Sequence, residues 1–200
     1  METMTTSIIL PFLVFFPFLG AVISYIIGRS NKGARDIWCW ILSAVIFIAS
    51  LTLIGKETVY SLRGFCGLGL SFAADGFGVI LAVLTGAIWL ITTIFSKEYM
   101  AAERNRNRYY FFVFLTLGAT MGIFLSADLF TTFIFFEIMS FTSFVLVMHD
   151  EEDFTVRSAK TYLAVAVIGG LVTLMGLFMM YQKAGTLNMA ELTAFMQSRE

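Results

Sequence analysis

Six long apolar runs constrain this chain more than any other feature of its sequence. They cover residues 7–28, 37–54, 73–96, 109–126, 129–148 and 158–181. An α-helix needs roughly 20 apolar residues to cross a bilayer core of about 30 Å. Since lipid cannot satisfy free backbone polar groups, runs of this length are expected to be helical. The sequence therefore predicts an all-α bundle of six transmembrane helices, one membrane domain over residues 1–200, with a polar tail at 182–200.

The overall composition agrees with a membrane protein. Hydrophobic residues make up 58% of the chain and charged residues only 14%, whereas charged residues are about 25% of a typical soluble domain. The net charge of -1 gives no electrostatic basis for binding nucleic acid. These values exclude a soluble enzyme and predict no nucleic-acid partner.

Basic residues are distributed unequally between the two sides of the predicted bundle. The first, third and fifth connections carry eight of them: Arg29, Lys32, Arg35, Lys97, Arg104, Arg106, Arg108 and Arg157. The opposite side carries four: Lys56, Arg63, Lys183 and Arg199. Cytoplasmic loops of membrane proteins are enriched in lysine and arginine. We therefore predict a multi-pass protein of the cell inner (plasma) membrane with both termini outward.

The connections that lead into the third and fifth spans contain local structural signals. The second connection is rich in glycine between residues 59 and 72, which favours a small extended or hairpin element. Asp75 and Asp128 stand at the outer ends of the third and fifth spans. Aspartate at such a position is typical of a helix N-cap. Capping is the favoured interpretation of both residues, and a role in ion entry is the alternative.

Glycines inside the later spans predict close contacts between helices. Gly118 and Gly122 form a GxxxG pattern in the fourth span, and the sixth span contains Gly169, Gly170 and Gly176. Small residues at this spacing allow two membrane helices to approach closely. We expect these positions to lie at helix contacts.

Glu137 is the residue that most clearly points to a function. It lies in the middle of the fifth span, between Leu129 and Val147, and a carboxyl group at that depth costs about 2.5 to 3.5 kcal/mol on insertion scales. The Glu137 carboxyl group must either face a polar path or stay protonated. We favour a functional role for it, and the alternative is a protonated carboxyl group with a structural role. Nearby hydroxyl groups are candidates for holding water beside it: Thr131, Thr132, Ser140, Thr142 and Ser143.

Lys160 is the second candidate, at the start of the sixth span. Its side chain either extends to the membrane surface or serves as a proton relay. By helical rise Glu137 is roughly 16 Å from the inner end of its own span, whereas Lys160 starts near that level. We therefore expect a water molecule or a further partner to bridge the two.

We predict no metal site and no cofactor in this chain. The only histidine, His149, is followed by four acidic residues, and a solvated acidic loop explains this segment better than a metal site. Cys39 and Cys66 are expected on opposite sides of the membrane, so they cannot pair. No haem or iron–sulfur motif is present in the sequence.

Four segments carry a family resemblance: residues 70–78 at the entry to the third span, 126–130, 136–147 around Glu137, and 158–162 around Lys160. They resemble the antiporter-like membrane subunits that are shared by respiratory complex I, energy-converting hydrogenases and Mrp-type cation/proton antiporters. The resemblance implies that Glu137 belongs to a proton path and that Lys160 corresponds to the lysine at the start of the sixth helix. It also implies transport of H+ or Na+ together with partner subunits, and no redox chemistry in this chain.

The sequence also departs from the family pattern. Phe136 replaces the tryptophan that usually precedes the glutamate, and residues 167–171 lack the acid that some branches carry. Family members contain two inverted repeats, whereas this chain ends after six spans, before the seventh-helix lysine. We therefore expect a fragment or a split subunit whose remaining helices are supplied by another chain.

The prediction is thus a proton- or cation-translocating subunit, or part of one, that uses Glu137 as a relay. A scaffold that does not transport ions and anchors other membrane subunits through its glycine faces is the main alternative. An unrelated small ion channel that would need to form oligomers is a third hypothesis. Transport requires the glutamate, whereas a scaffold requires the glycines.

Overall fold

Long helices occupy the six apolar runs that the sequence predicts. The computed structural model describes residues 5–62, 64, 69–103 and 105–198. Arg63, Cys66, Arg104 and Arg199 lie outside the described residues. The helices are α1 (Ile9–Ser30), α2 (Lys32–Leu51), α3 (Gly76–Tyr99), α4 (Arg106–Phe124), α5 (Leu129–Val147), α6 (Asp153–Ala184) and α7 (Met189–Gln197). Three short strands accompany them: β1 (Thr5–Thr6), β2 (Thr58–Leu62) and β3 (Leu70–Ala74).

Within the described residues, five helices are long and apolar enough to cross a membrane: α1, α2, α3, α5 and α6. The sequence predicts six spans, and the difference is α4. Its first turn contains Arg106 and Arg108, which lower its mean hydropathy. The multi-pass helical class is confirmed, and the sixth predicted span, α4, differs from the other five in its polar first turn.

Helix ends differ from the predicted spans where a local signal extends the helix. The second span was predicted to start at residue 37, but α2 begins at Lys32 because the Asn31 side chain accepts a hydrogen bond from the Ala34 backbone N–H. The sixth span was predicted to start at residue 158, but α6 begins at Asp153. The predicted polar tail contains a short helix, α7.

A small sheet covers the end of the bundle where α3 and α5 begin. Strands β2 and β3 pair antiparallel, and β1 pairs parallel to β2, so the second connection does contain a hairpin element. Phe72 on β3 is fully buried, and its ring packs at 6.3 Å from Phe15 of α1 and 5.8 Å from Phe135 of α5. This aromatic contact fixes the sheet to the helices.

Helix α4 lies at the centre of the bundle, and the contacts predicted for Gly118 and Gly122 form around it. The contacts predicted for Gly169 and Gly176 of α6 are wrong, because a Cβ atom on either would meet nothing within 4 Å among the described residues. A Cβ atom on Gly118 would lie 2.6 Å from the Phe18 ring and 2.9 Å from the Val14 carbonyl oxygen on α1. A Cβ atom on Gly122 would lie 2.3 Å from the Phe135 ring on α5. Both glycines are therefore required for close packing.

The tryptophans connect neighbouring helices through their indole N–H groups. Trp38 donates to the Gly20 carbonyl at 3.1 Å, Trp40 to the Thr93 carbonyl at 3.2 Å, and Trp89 to the Val113 carbonyl at 3.1 Å. These bonds join α1 to α2, α2 to α3, and α3 to α4. In contrast, α6 packs on the outside of the bundle, with only Ala159, Gly170 and Leu177 buried.

Candidate functional site

Glu137 is the ninth of the 19 residues of α5, and its side chain points to α6. A Cβ atom built on Gly170 would lie 2.5 Å from Oε1, 2.8 Å from Cδ and 2.9 Å from Oε2 of Glu137. The missing side chain of Gly170 thus makes the space that the carboxyl group occupies. Glu137 is half-buried and Gly170 is buried.

A narrow cleft between α5 and α6 surrounds this contact. It is lined by Glu137, Ser140, Phe141, Leu163, Ala166 and Val167. The Ser140 hydroxyl donates to the Phe136 carbonyl at 3.0 Å. Within the part of the chain that the structure describes, neither a hydrogen bond nor an ion pair is formed by the carboxyl group of Glu137. It therefore sits among mainly apolar neighbours, where it can take up or release a proton only if water or another polar group reaches it.

Lys160 lies away from this cleft. It is exposed, near the start of α6, and ten residues before Gly170, which corresponds to about 15 Å along the helix axis. The extended side chains of a lysine and a glutamate do not bridge that distance. The structure therefore does not bring Glu137 and Lys160 together. This agrees with the different membrane depths that the sequence predicts for the two residues.

Three of the hydroxyl groups that the sequence offers as water ligands are engaged elsewhere. The Thr131 hydroxyl donates to Asp128 at 2.6 Å, and Thr132 pairs with Ser126 at 2.6 Å. The Thr142 hydroxyl accepts from Thr116 on α4 at 2.9 Å. These bonds stabilise the start of α5 and its contact with α4.

Both predicted N-cap aspartates are confirmed. Asp75 accepts from the Gly78 N–H at 2.6 Å, and Asp128 accepts from the Thr131 N–H at 2.7 Å. Asp128 also accepts from the Ser71 N–H at 3.2 Å. The carboxylate of Asp128 therefore holds the start of α5 and the strand β3 together.

His149 differs from the solvated loop residue that the sequence predicts. It is half-buried, and its ring lies 5.8 Å from the Tyr109 ring. Its carbonyl accepts from Arg108 at 2.8 Å. Among the described residues, no group of three or more histidine, cysteine, aspartate or glutamate side chains is arranged to hold a metal ion.

A buried charge network that the sequence did not predict lies at the end of the bundle that carries Asn31. Arg35 was counted only as a loop charge, but it is 1% exposed and pairs with Asp36 at 2.7 Å. Asp36 also pairs with Arg106 at 3.4 Å, and Arg35 donates to Asn107. The signal that could have found the network is Asp36, the one acidic residue in an otherwise basic connection.

Comparisons with known proteins agree with this fold. Residues 126–200 match the family described as NADH:quinone oxidoreductase/Mrp antiporter, TM. The chain is 30% identical to a Na(+)/H(+) antiporter component of Alkalihalophilus pseudofirmus, over 62% of this chain and 25% of that protein. It is 28% identical to "Putative antiporter subunit mnhD2" of Staphylococcus aureus, over 94% of this chain and 39% of that protein. The chain thus spans well under half the length of these relatives.

Solved structures show the same arrangement of helices. A chain of the membrane-bound sulfane sulfur reductase, an archaeal respiratory membrane complex, superposes with a TM-score of 0.83 at 19% identity, covering 93% of this chain and 39% of that one. A chain of the Mrp complex from Dietzia sp. DQ12-45-1b gives a TM-score of 0.77 at 22% identity, covering 92% and 36%. At these identities the likeness concerns the fold.

Proposed function

Because the chain is related to the antiporter-like membrane subunits of the Mrp and respiratory type, we propose that it carries one protonatable station of a proton- or cation-translocation path, at Glu137. The observation that carries this proposal is the position of the carboxyl group, at mid-helix in α5 and directly against the backbone of Gly170. Ionisable residues at such depth usually mark ion pathways.

No described residue gives the carboxyl group of Glu137 a polar partner, which supports an ion path that needs a further polar group beside Glu137. An ionised carboxylate in a low-dielectric site is stable only when it is paired or hydrated. The relatives are more than twice as long as this chain, and α6 exposes most of its surface. We infer that further helices, from the rest of a longer protein or from another membrane subunit, cover α6 and supply the missing polar group near Gly170.

Lys160 is proposed as a second station, on the side of the membrane that we assign to the cytoplasm. It can exchange protons with Glu137 only through water or through a partner that spans about 15 Å. The transported ion is H+ or Na+, and the energy comes from an ion gradient or from partner subunits. The protein is proposed to reside in the plasma membrane.

Replacement of Glu137 by glutamine tests the proposal. The amide keeps the size and polarity of the side chain but cannot exchange a proton. We expect the assembled complex with Glu137→Gln to lose ion-driven proton movement, measured with a pH-sensitive dye in membrane vesicles, while the amount of assembled complex stays unchanged. Glu152→Gln is the matched control, since Glu152 is exposed and makes no side-chain capping bond at the start of α6.

One outcome would contradict the role of Glu137, and another would contradict the role of Lys160. Normal transport by the Glu137→Gln complex would show that the carboxyl group is not a relay. Normal transport by Lys160→Gln, with loss in Glu137→Gln, would leave Glu137 in the path and reduce Lys160 to a surface anchor.

A further inference from the structure

A cavity of about 860 Å³ opens at the end of the bundle where α1 ends and α4 begins. It lies apart from the cleft between α5 and α6. Basic side chains line its upper part: Lys32, Arg35, Arg106 and Arg108. Aromatic side chains line its lower part: Tyr25, Phe111 and Phe112. We call it the basic cavity.

The charges around the basic cavity are unbalanced in favour of an anion. One acidic residue, Glu103, shares the lining with the four basic ones. Asp36 and Glu151, which do not line the cavity, pair with Arg35 and Arg108 respectively. Among the described residues, four cations against three carboxylates leave one net positive charge.

Several hydrogen-bond donors at the cavity have no described partner. The Nε atoms of Arg106 and Arg108 are buried without a hydrogen bond. Lys32 is exposed, and no described side chain pairs with its ammonium group. The ammonium group of Lys32 and the partly exposed guanidinium of Arg108 can donate charge-assisted bonds to the oxygen atoms of a phosphate group.

The pairing within the cluster fixes two of the basic side chains in place. The guanidinium of Arg35 lies between Asp36 and the Tyr110 ring, 4.8 Å from the ring centroid. A Cβ atom on Gly28 would lie 2.4 Å from Asn107 Oδ1 and 2.9 Å from Arg35 Cδ, so a glycine on α1 makes room for this arrangement. Arg106 is held by Asp36 and by the Lys97 carbonyl at 3.1 Å. These contacts hold Arg35 and Arg106 in the cavity wall.

The aromatic side chains in the lower part of the basic cavity favour a lipid over a free anion as its ligand. Tyr25 and Phe111 pack with their rings 5.8 Å apart. Each lies five residues inside its helix from Ser30 or Arg106 respectively, which is roughly 7.5 Å towards the apolar part of the bundle. An inorganic anion would use only the basic level, whereas a phospholipid has a charged headgroup directly followed by acyl chains.

We propose that the basic cavity binds the phosphodiester headgroup of an anionic phospholipid. Lys32 and Arg108 contact the phosphate oxygens, and the first part of an acyl chain lies against Tyr25 and Phe111. Arg35 and Arg106, paired with Asp36, position the cavity wall. The proposal is independent of proton movement through Glu137.

The test is a titration of the purified full chain in neutral detergent with phosphatidylglycerol or with phosphatidylcholine of the same acyl chains, followed by native mass spectrometry. We expect one phosphatidylglycerol to bind in preference to phosphatidylcholine. Lys32→Gln and Arg108→Gln should each weaken its binding about fivefold, the effect typical of one basic residue near a lipid headgroup. Arg29→Gln is the matched control, since Arg29 is exposed in the same connection but does not line the cavity. The affinity of this variant for phosphatidylglycerol should equal that of the wild type.

Lys32→Gln keeps the test valid even if Arg108→Gln disturbs the fold, because Lys32 makes no described contact that the fold needs. Thermal unfolding followed by circular dichroism checks each variant. Equal binding of both lipids, or wild-type affinity in the Lys32→Gln variant, would overturn the proposal. Displacement of phosphatidylglycerol by inorganic phosphate, which itself binds the wild type but not Lys32→Gln, would show a free-anion site and overturn the lipid assignment.

Discussion

Gly170→Ala should move the carboxyl group of Glu137 while leaving that carboxyl group itself able to exchange a proton. The new Cβ atom would lie 2.5 Å from Oε1 of Glu137, whereas ordinary contacts start at 3.4 Å. The carboxyl group must therefore move away from α6 by 0.9 Å, the difference between these two distances. A displacement of about 1 Å in a reacting group can cost on the order of 100-fold in rate. We expect transport by the assembled complex to fall about 10- to 100-fold.

The neighbouring glycine provides a matched control. A Cβ atom on Gly169 would meet nothing within 4 Å, so Gly169→Ala changes the same helix at the adjacent position without touching Glu137. Both substitutions raise the intrinsic helix propensity of α6 by a similar amount, about 1 kcal/mol in favour of alanine. Any general effect of an alanine in α6 is thus common to the two variants, and only Gly170→Ala displaces the carboxyl group.

The assay is the initial rate of dye-reported proton movement in vesicles, normalised to the amount of assembled complex. Gly169→Ala should transport at the wild-type rate. If Gly170→Ala also does so, the position of the carboxyl group against α6 does not matter, and the reasoning from this contact is refuted. A parallel loss of assembled complex in Gly170→Ala alone would assign the contact to packing.

Three further predictions concern the bundle itself. Gly122→Ala should lower the free energy of unfolding by about 1–3 kcal/mol, because the added methyl would lie 2.3 Å from the Phe135 ring; an unchanged melting temperature in detergent would contradict this packing. Asp128→Ala should destabilise the chain by about 1–3 kcal/mol, since its carboxylate holds α5 and β3 together; chemical denaturation measures the loss, and wild-type stability would disprove the role. Cysteines introduced at Thr5 and Asn105 should react with an impermeant thiol reagent from opposite sides of the membrane, and labelling of both from one side would show that the orientation inferred from the basic residues is wrong.

The sequence by itself determined that the protein lies in a membrane, that its fold is a bundle of helices, and where along the chain the long helices lie. Hydropathy and run length are local properties, so they located the long helices to within a few residues. The caps formed by Asp75 and Asp128 were also predictable, because an N-cap side chain bonds to a backbone N–H only three residues away. Glu137 stood out for an equally local reason, since a carboxyl group is costly within an apolar helix whatever its neighbours are.

Only the tertiary structure decided which neighbour each of these residues meets. In a membrane, lipid and the faces of neighbouring helices are both apolar, so hydropathy does not specify which helix faces pack together. The contact of Glu137 with Gly170, the distance of Lys160 from that contact, and the burial of Arg35 against Asp36 all depend on helix rotation and pairing. The basic cavity exists for the same reason, because it forms only where the ends of α1, α2 and α4 come together.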